Sequence, residues 1–130
     1  MKANRFRFRV WCKNHKEWEK HDCFLSQDGQ LNQFCNGRLL PPMRQDTHIV
    51  CMSTDLCDKN GKEIFEGDVI RAELIVDRDI PTMGKVVWSD DYSGWANAND
   101  VGETMLYQLA TIEVIGNIYE NPELLEKEVG

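Results

Sequence analysis

Residues 58–70 read DKNGKEIFEGDVI and contain the clearest chain reversal in the sequence. Asn60-Gly61 favours a tight turn, because glycine readily adopts the positive φ that such turns need. Gly67 marks a second reversal, and the run that begins at Val69 has the composition of a β-strand. Asp68 lies where this strand starts, so its carboxylate is placed to accept hydrogen bonds from backbone N–H groups. The stretch therefore predicts two turns, each followed by a strand.

Short extended segments lie on both sides of this stretch, and turn signals such as Asp28-Gly29 and Asn36-Gly37 separate them. The predicted strands are 5–11, 18–25, 30–34, 48–52, 69–76, 84–88 and 109–115, the last extended through Tyr119. Residues 92–103 are rich in Gly, Asn and Asp and predict a loop. Strands this short and turns this closely spaced predict a mainly β, small barrel-like antiparallel fold.

The C-terminus differs from the rest of the chain. Asn121-Pro122-Glu123 places a capping residue, a first-turn proline and an acid in the order that starts a helix. We expect a short helix at about 122–128. The chain is predicted to be a single domain, 1–130, with an N-terminal β-hairpin region at about 1–45 and a barrel-like part at about 46–120, because each part alone is too small for an independent core.

The N-terminal strand has strict alternation over residues 5–10. Side chains of a strand point alternately to opposite faces, so Phe6, Phe8 and Val10 are expected to face the core. The arginines then line the other face, where Trp11 also falls. We expect this arginine face to be partly covered.

Composition places the protein among ordinary globular proteins, with 42% hydrophobic and 28% charged residues over 130 positions. No segment approaches the roughly 20 apolar residues of a membrane span, and no signal-peptide pattern follows the N-terminus. The five cysteines are odd in number and form no C-x-x-C pair, so we interpret them as small buried hydrophobes or surface thiols in a reducing cytosol. We expect a cytoplasmic protein that does not contact membranes.

The net charge of −7 is distributed unevenly along the chain. Residues 1–50 carry nine Lys and Arg against five Asp and Glu, whereas residues 51–130 carry six against seventeen. The simplest interpretation is that the basic part packs on the acidic part or on another subunit. One alternative is nucleic-acid binding through a basic face, and another is an acidic body that mimics DNA. The residues of that basic face are Arg5, Arg7, Arg9, Lys13 and Lys16.

Two sets of residues are candidates for chemistry. Cys12, His15, His21 and Cys23 are ligand types that zinc accepts, but their spacing fits no standard zinc module. We interpret them as a surface turn with incidental thiols and expect no metal site and no cofactor. Asp90-Asp91 are adjacent acids in a polar segment, where carboxylates are usually solvated. We expect no catalytic residues and a protein that is not an enzyme.

An aromatic set is the candidate interaction surface. Trp88, Tyr92 and Trp95 lie in or beside the polar segment, and exposed Trp and Tyr side chains favour interfaces. The alternative is that Trp88 belongs to the core and the other two cover the end of the barrel.

Three segments together resemble the YopX family of phage and prophage proteins. Residues 8–11, FRVW, are similar to the family's opening strand, residues 58–70 to its central turn and strand, and residues 113–125, EVIGNIYENPELL, to its closing strand and helix. The family tends to have Thr-Gly before the central segment, where this chain has Thr54-Asp55. The resemblance implies a β-rich fold, a phage or prophage origin and therefore the cytoplasm of a bacterial host cell, and it supplies no catalytic residues.

These observations predict a non-enzymatic protein-interaction module. Its partner is expected to be a host or phage protein, or a further copy of the chain in a homo-oligomer. Nucleic-acid association through the basic strand, and DNA mimicry, remain the alternatives.

Overall fold

A computed structural model describes residues 7–125. The protein is mainly β, with antiparallel sheets, a half-barrel sheet and a short helix near the C-terminus. The strands are β1 Phe8–Cys12, β2 Glu17–Trp18, β3 Cys23–Leu25, β4 Leu31–Cys35, β5 Arg38–Leu39, β6 His48–Cys57, β7 Glu63–Phe65, β8 Asp68–Leu74, β9 Pro81–Ser89, β10 Gly94–Asn99, β11 Gly102–Met105 and β12 Leu109–Asn117. A single 3-10 turn, Leu106–Gln108, connects β11 to β12. The predicted fold class is confirmed.

The described residues divide into two compact units. The N-terminal unit comprises residues 8–51, and the C-terminal unit comprises Arg7 and residues 52–125. Strand β6 passes from the first into the second, where it pairs with β7. A single domain stays a prediction.

The N-terminal unit contains two small antiparallel arrangements. β1 pairs with β2, and β3, β4 and β5 form a three-stranded sheet. Its core is a cluster of Val10, Leu31 and Met43, against which Phe8 packs. The predicted inward orientation of Phe8 and Val10 is confirmed, whereas Phe6 lies outside the described residues. The predicted strand 18–25 is wrong as a continuous element, because Trp18 pairs with β1 while Cys23–Leu25 pair with β4.

The C-terminal unit is built on a five-stranded antiparallel sheet of order β11-β10-β9-β8-β12. Its core cluster is Ile64, Ile70, Ala72, Val86, Leu106 and Leu109. The predicted loop over residues 92–103 is wrong, since most of it forms the β10–β11 hairpin. Asn97 is fully buried and its amide donates to Thr82 Oγ1, while the Asn99 amide donates to the Met83 carbonyl. Side-chain hydrogen bonds thus accommodate polar residues that usually indicate loops.

The end of the chain follows the prediction only in part. Strand β12 ends at Asn117, and residues 118–120 form turns instead of continuing the strand. The Asn117 side-chain oxygen accepts the backbone N–H groups of Tyr119 and Glu120, which bends the chain away from the sheet. Residues 123–125 are helical, and the rest of the predicted helix lies outside the described residues. Within residues 7–125, no helix has the length and apolar character needed to cross a membrane.

Candidate interaction surface

The three aromatic residues predicted as an interaction surface lie on one hairpin, formed by the end of β9 and the start of β10. We call residues 88–95 the aromatic hairpin. Trp88 and Trp95 are direct cross-strand partners, so their side chains share one face of the sheet. Their ring centroids are 5.3 Å apart, and the ring planes meet at 83° in an edge-to-face contact. Such aromatic pairs contribute about 0.5–1.5 kcal/mol beyond the area they bury.

The two tryptophans differ in their surroundings. Trp95 is half-buried and packs against the core cluster, whereas Trp88 leaves 48% of its surface exposed. The alternative that places Trp88 in the core is therefore wrong. Trp95 supports the exposed ring of Trp88 from the side of the core. Tyr92, in the turn between the strands, is 67% exposed.

The turn of the aromatic hairpin is held by a buried hydroxyl. Ser89 is 1% exposed, and its Oγ donates to Glu103 Oε1 at 2.8 Å and accepts the backbone N–H of Tyr92 at 3.3 Å. Ser93 adopts φ +50°, which turns the chain back into β10. The backbone that carries Tyr92 is thus fixed before any partner binds.

The charge at this end of the hairpin is negative. Asp90 and Asp91 are exposed in the turn, and Glu103 lies on the adjacent strand β11. The surface therefore combines exposed aromatic rings with carboxylates. A complementary surface carries apolar groups together with Lys or Arg side chains.

The residues of the predicted basic face differ in their contacts and exposure. Arg7 forms an ion pair with Glu63 at 2.9 Å, and the Arg9 guanidinium lies 4.0 Å from the centre of the Trp18 ring. Lys13 and Lys16 are exposed, and Arg5 lies outside the described residues. Trp18 thus covers part of the arginine face, and its ring meets Trp11 edge to face at a centroid distance of 5.0 Å.

The Cys and His residues considered for zinc have separate partners. Cys12 Sγ lies 3.2 Å from His15 Nδ1, whereas His21 Nδ1 lies 3.1 Å from Glu19 and the Cys23 thiol donates to the His21 carbonyl. Burial, together with the nearby Glu19 and Asp22 carboxylates, raises the pKa of the Cys23 thiol to about 11. Among residues 7–125, no three His, Cys, Asp or Glu side chains are grouped to hold a metal ion.

The two most distinctive sequence segments meet each other in the C-terminal unit. We call residues 58–70 and 113–125 the motif pair. The Asp58 carboxylate accepts the backbone N–H groups of Asn60 and Lys62 in its own turn, and that of Val114 in β12. Burial opposes ionisation of Asp58, but these three hydrogen bonds outweigh it and hold its pKa below the ordinary value.

A second contact of the motif pair involves glycine. Gly67 has φ +89°, and its carbonyl accepts the N–H of Ile118. A Cβ at Gly67 would lie 2.8 Å from Tyr119 Cε2. The buried Asp68 accepts the N–H of Phe65, as predicted for the residue that starts the strand. The motif pair therefore holds the fold through backbone contacts.

The two segments of the motif pair, which resemble the YopX family in sequence, therefore contact each other in the fold. Comparison with known proteins supports the resemblance. The sequence profile described as YopX protein matches residues 7–126. The chain belongs to the YopX family. Asp55 lies where the family tends to have glycine, and its φ of +64° explains that preference.

Two solved structures share the fold of this YopX-family protein. Protein yopX from Bacillus subtilis is 21% identical with a TM-score of 0.60, over 91% of this chain and 94% of that one. Protein EF1440 from Enterococcus faecalis is 24% identical with a TM-score of 0.61, over 92% of this chain and 96% of that one. A search of curated proteins gives no match.

Sequence reasoning missed one feature of the site, the contact that anchors the aromatic hairpin. Ser89 and Glu103 are 14 positions apart, and only the pairing of β9, β10 and β11 brings them together. The sequence did contain one signal, the alternation within residues 94–99 that is typical of a strand. The polar composition of this segment instead favoured the prediction of a loop.

Proposed function

We propose that this YopX-family protein is a non-enzymatic protein-interaction module that binds its partner through the aromatic hairpin. The observation that carries the proposal is the exposed Trp88 ring, supported by Trp95 and accompanied by the exposed Tyr92. Tryptophan and tyrosine are enriched among the residues that dominate binding energies at interfaces. The partner in this proposal is a host or phage protein whose surface combines apolar side chains with Lys or Arg.

The fixed turn supports this assignment. Ordering a loop on binding costs free energy that is subtracted from the affinity. Because Ser89 already binds the backbone of Tyr92, that cost is reduced at the aromatic hairpin. The carboxylates around the turn favour association with a basic surface and make its rate dependent on salt.

The proposal extends to biological context. The protein acts in the cytoplasm of a bacterium and is encoded by a phage or prophage. The two similar solved structures are of proteins from Bacillus subtilis and Enterococcus faecalis, and a bacterial setting suits a prophage protein. Association of the chain with itself is an alternative use of the same surface.

The test is a comparative capture experiment with tagged protein in bacterial lysate. The wild type, Tyr92→Ala and Trp88→Ala are compared with Leu39→Ala, a control in which an exposed apolar side chain of the N-terminal unit is removed. We expect a protein that the wild type and Leu39→Ala retain and that both hairpin variants lose. Its affinity for the purified wild type is then measured, and a variant affinity within two-fold of the wild type would exclude the aromatic hairpin.

Nuclease treatment in the same experiment separates the alternatives. Nucleic-acid binding through the basic face predicts recovery that is lost on nuclease treatment and falls steeply with salt. The ion pair of Arg7 with Glu63 reduces the charge available to phosphates. DNA mimicry predicts that a DNA-binding protein is retained and that added DNA displaces it. Capture of untagged copies of the chain alone would assign the surface to homo-oligomerisation.

A further inference from the structure

A second surface of the C-terminal unit lies along strand β11. Two adjoining hollows share Leu74, Glu103 and Thr104 in their walls. We call their union the edge groove. Its residues are 74–76, 80–82, 99, 101–104 and 107–108.

The edge groove exposes a concentration of apolar side chains. Tyr107 is 76% exposed, Val76 is 91% exposed, and Ile75 and Ile80 are each about half exposed. Single exposed apolar residues are ordinary, but a group of them around one groove is typical of an interaction site. These residues come from the β8–β9 turn and the 3-10 turn, so the fold brings them together.

Strand β11 is at the edge of the five-stranded sheet. The Met105 N–H donates to the Gln108 side chain, so it points away from β10. In an antiparallel pair, alternate residues direct their backbone groups to the partner strand. Glu103, two positions before Met105, therefore directs its N–H and C=O away from β10, toward the open edge. Unpaired edge groups of this kind can pair with an added strand.

The two faces of β11 differ in chemistry. Thr104 is the cross-strand partner of Asn97, which lies on the same face as Trp95 and the core. Glu103 lies on the opposite face. A strand added at this edge would send alternate side chains to the apolar side and to the side of the Glu103 carboxylate.

The charged residues in and beside the edge groove indicate which kind of peptide it can bind. Glu103 is the charged residue in the walls of both hollows, and Asp77, Asp79 and Asp100 are exposed in the neighbouring turns. The nearby Arg78 is paired with Glu73 at 3.4 Å. The local charge is therefore negative, and a basic side chain next to Glu103 is complementary to it.

We propose that the edge groove binds an extended peptide strand of alternating apolar and basic residues, paired with β11. The apolar side chains enter the groove beside Leu74 and Tyr107, and the basic side chains lie on the side of Glu103. The occupant is a segment of a partner protein. The edge groove shares Glu103 with the contact that anchors the aromatic hairpin. Strand pairing with β11 nevertheless does not depend on the function proposed for that hairpin.

The test uses a fluorescent eight-residue peptide of alternating valine and lysine, titrated into the full chain and followed by anisotropy. Three control peptides have the same length. One replaces lysine by glutamate, one carries backbone N-methyl groups at alternate residues, and one groups the four valines and the four lysines in separate blocks. We expect binding of the alternating peptide and at least ten-fold weaker binding of all three controls, because each removes charge complementarity, strand pairing or alternation.

Variants of the chain locate the binding site. Glu103→Lys is expected to weaken binding at least five-fold by reversing the complementary charge, and Tyr107→Ala is expected to weaken it by removing an apolar wall. Leu39→Ala is the control, because it removes an exposed apolar side chain outside the edge groove and the aromatic hairpin, and it should bind the alternating peptide as the wild type does. Failure of the aromatic hairpin in its own test would leave this result unchanged.

Four outcomes would overturn the proposal. Equal binding of the block peptide would show attraction to the acidic surface alone, and equal binding of the N-methyl peptide would exclude strand pairing. Absence of binding by the alternating peptide at millimolar concentration would remove the site. A dimer that Glu103→Lys and Tyr107→Ala dissociate would assign the edge groove to a second copy instead of a partner peptide.

Discussion

The motif pair and the aromatic hairpin belong to the same unit but use their side chains in opposite ways. In the motif pair, the buried Asp58 and Asp68 satisfy backbone N–H groups inside the molecule. In the aromatic hairpin, Trp88 and Tyr92 extend into solvent. The segments that identify the family are thus those that hold the fold, and the surface proposed for binding lies outside them.

Removal of the Asp58 carboxylate should have the largest effect on stability. Asp58→Ala removes three partly buried hydrogen bonds from backbone N–H groups to a carboxylate, and hydrogen bonds to charged groups contribute about 1.5–3 kcal/mol each. We expect a loss of at least about 3 kcal/mol in the free energy of unfolding, measured with urea. Asp28→Ala is the control, because Asp28 accepts comparable local bonds in an exposed turn. Equal effects of the two substitutions would show that the bond to Val114 contributes nothing.

The same carboxylate predicts a dependence on pH. The pKa of Asp58 is lower in the folded chain than its ordinary value, so its ionisation stabilises the fold above about pH 4. That contribution is lost as the pH falls from about 4 through the folded pKa. The unfolding free energy of Asp58→Asn should therefore decrease less than that of the wild type over this interval. Parallel pH profiles would contradict the assigned pKa direction.

Paired glycine substitutions measure the second contact of the motif pair. Gly61 and Gly67 both have positive φ, at +82° and +89°, so alanine strains both by about 1–2 kcal/mol. Only Gly67→Ala also places a Cβ against Tyr119, since nothing lies near the corresponding position at Gly61. We expect Gly67→Ala to lose about 1–2 kcal/mol more than Gly61→Ala in chemical unfolding. Equal losses would mean that the Tyr119 ring moves aside without cost.

Alanine substitutions at the two tryptophans of the aromatic hairpin distinguish the ring that stabilises the fold from the ring that is exposed to solvent. Trp88→Ala and Trp95→Ala both remove the edge-to-face contact, so that contribution cancels in the comparison. Trp95→Ala also removes packing against the core cluster and should cost about 1–2 kcal/mol more. Thermal or urea unfolding measures the difference. A larger loss for Trp88→Ala would reverse the roles assigned to the two rings.

Sequence reasoning succeeded where a local backbone rule was sufficient. The turn at Asn60-Gly61 and the positive φ of Gly67 follow from the conformational freedom of glycine, and the inward side of β1 follows from its alternation. It failed for residues 94–99, where Asn97 is buried because Thr82 accepts its amide from the neighbouring strand. Such a partner is fixed only by strand pairing, which local composition does not specify.

The candidate site was predictable in its residues but not in its arrangement. Trp88, Tyr92 and Trp95 were identified as a group, yet strand register decides which ring contacts the core. The edge groove was not predicted, because its residues come from four strands, β8 to β11, and from the turns beside them. When a surface is assembled from several strands, no single segment of the sequence has a residue pattern that indicates it.

Tyr92→Ala should have the smallest effect on stability. The ring is 67% exposed, whereas the contact that fixes the turn is made by the backbone N–H of Tyr92, which alanine retains. We expect a change in unfolding free energy below about 0.5 kcal/mol. Affinity for the captured partner should nevertheless fall at least ten-fold, because truncating an aromatic residue that dominates an interface commonly costs 2 kcal/mol or more. Loss of affinity with loss of stability would indicate a disturbed hairpin, and Ser89→Ala, which releases the turn but keeps the ring, distinguishes that effect from removal of the contact.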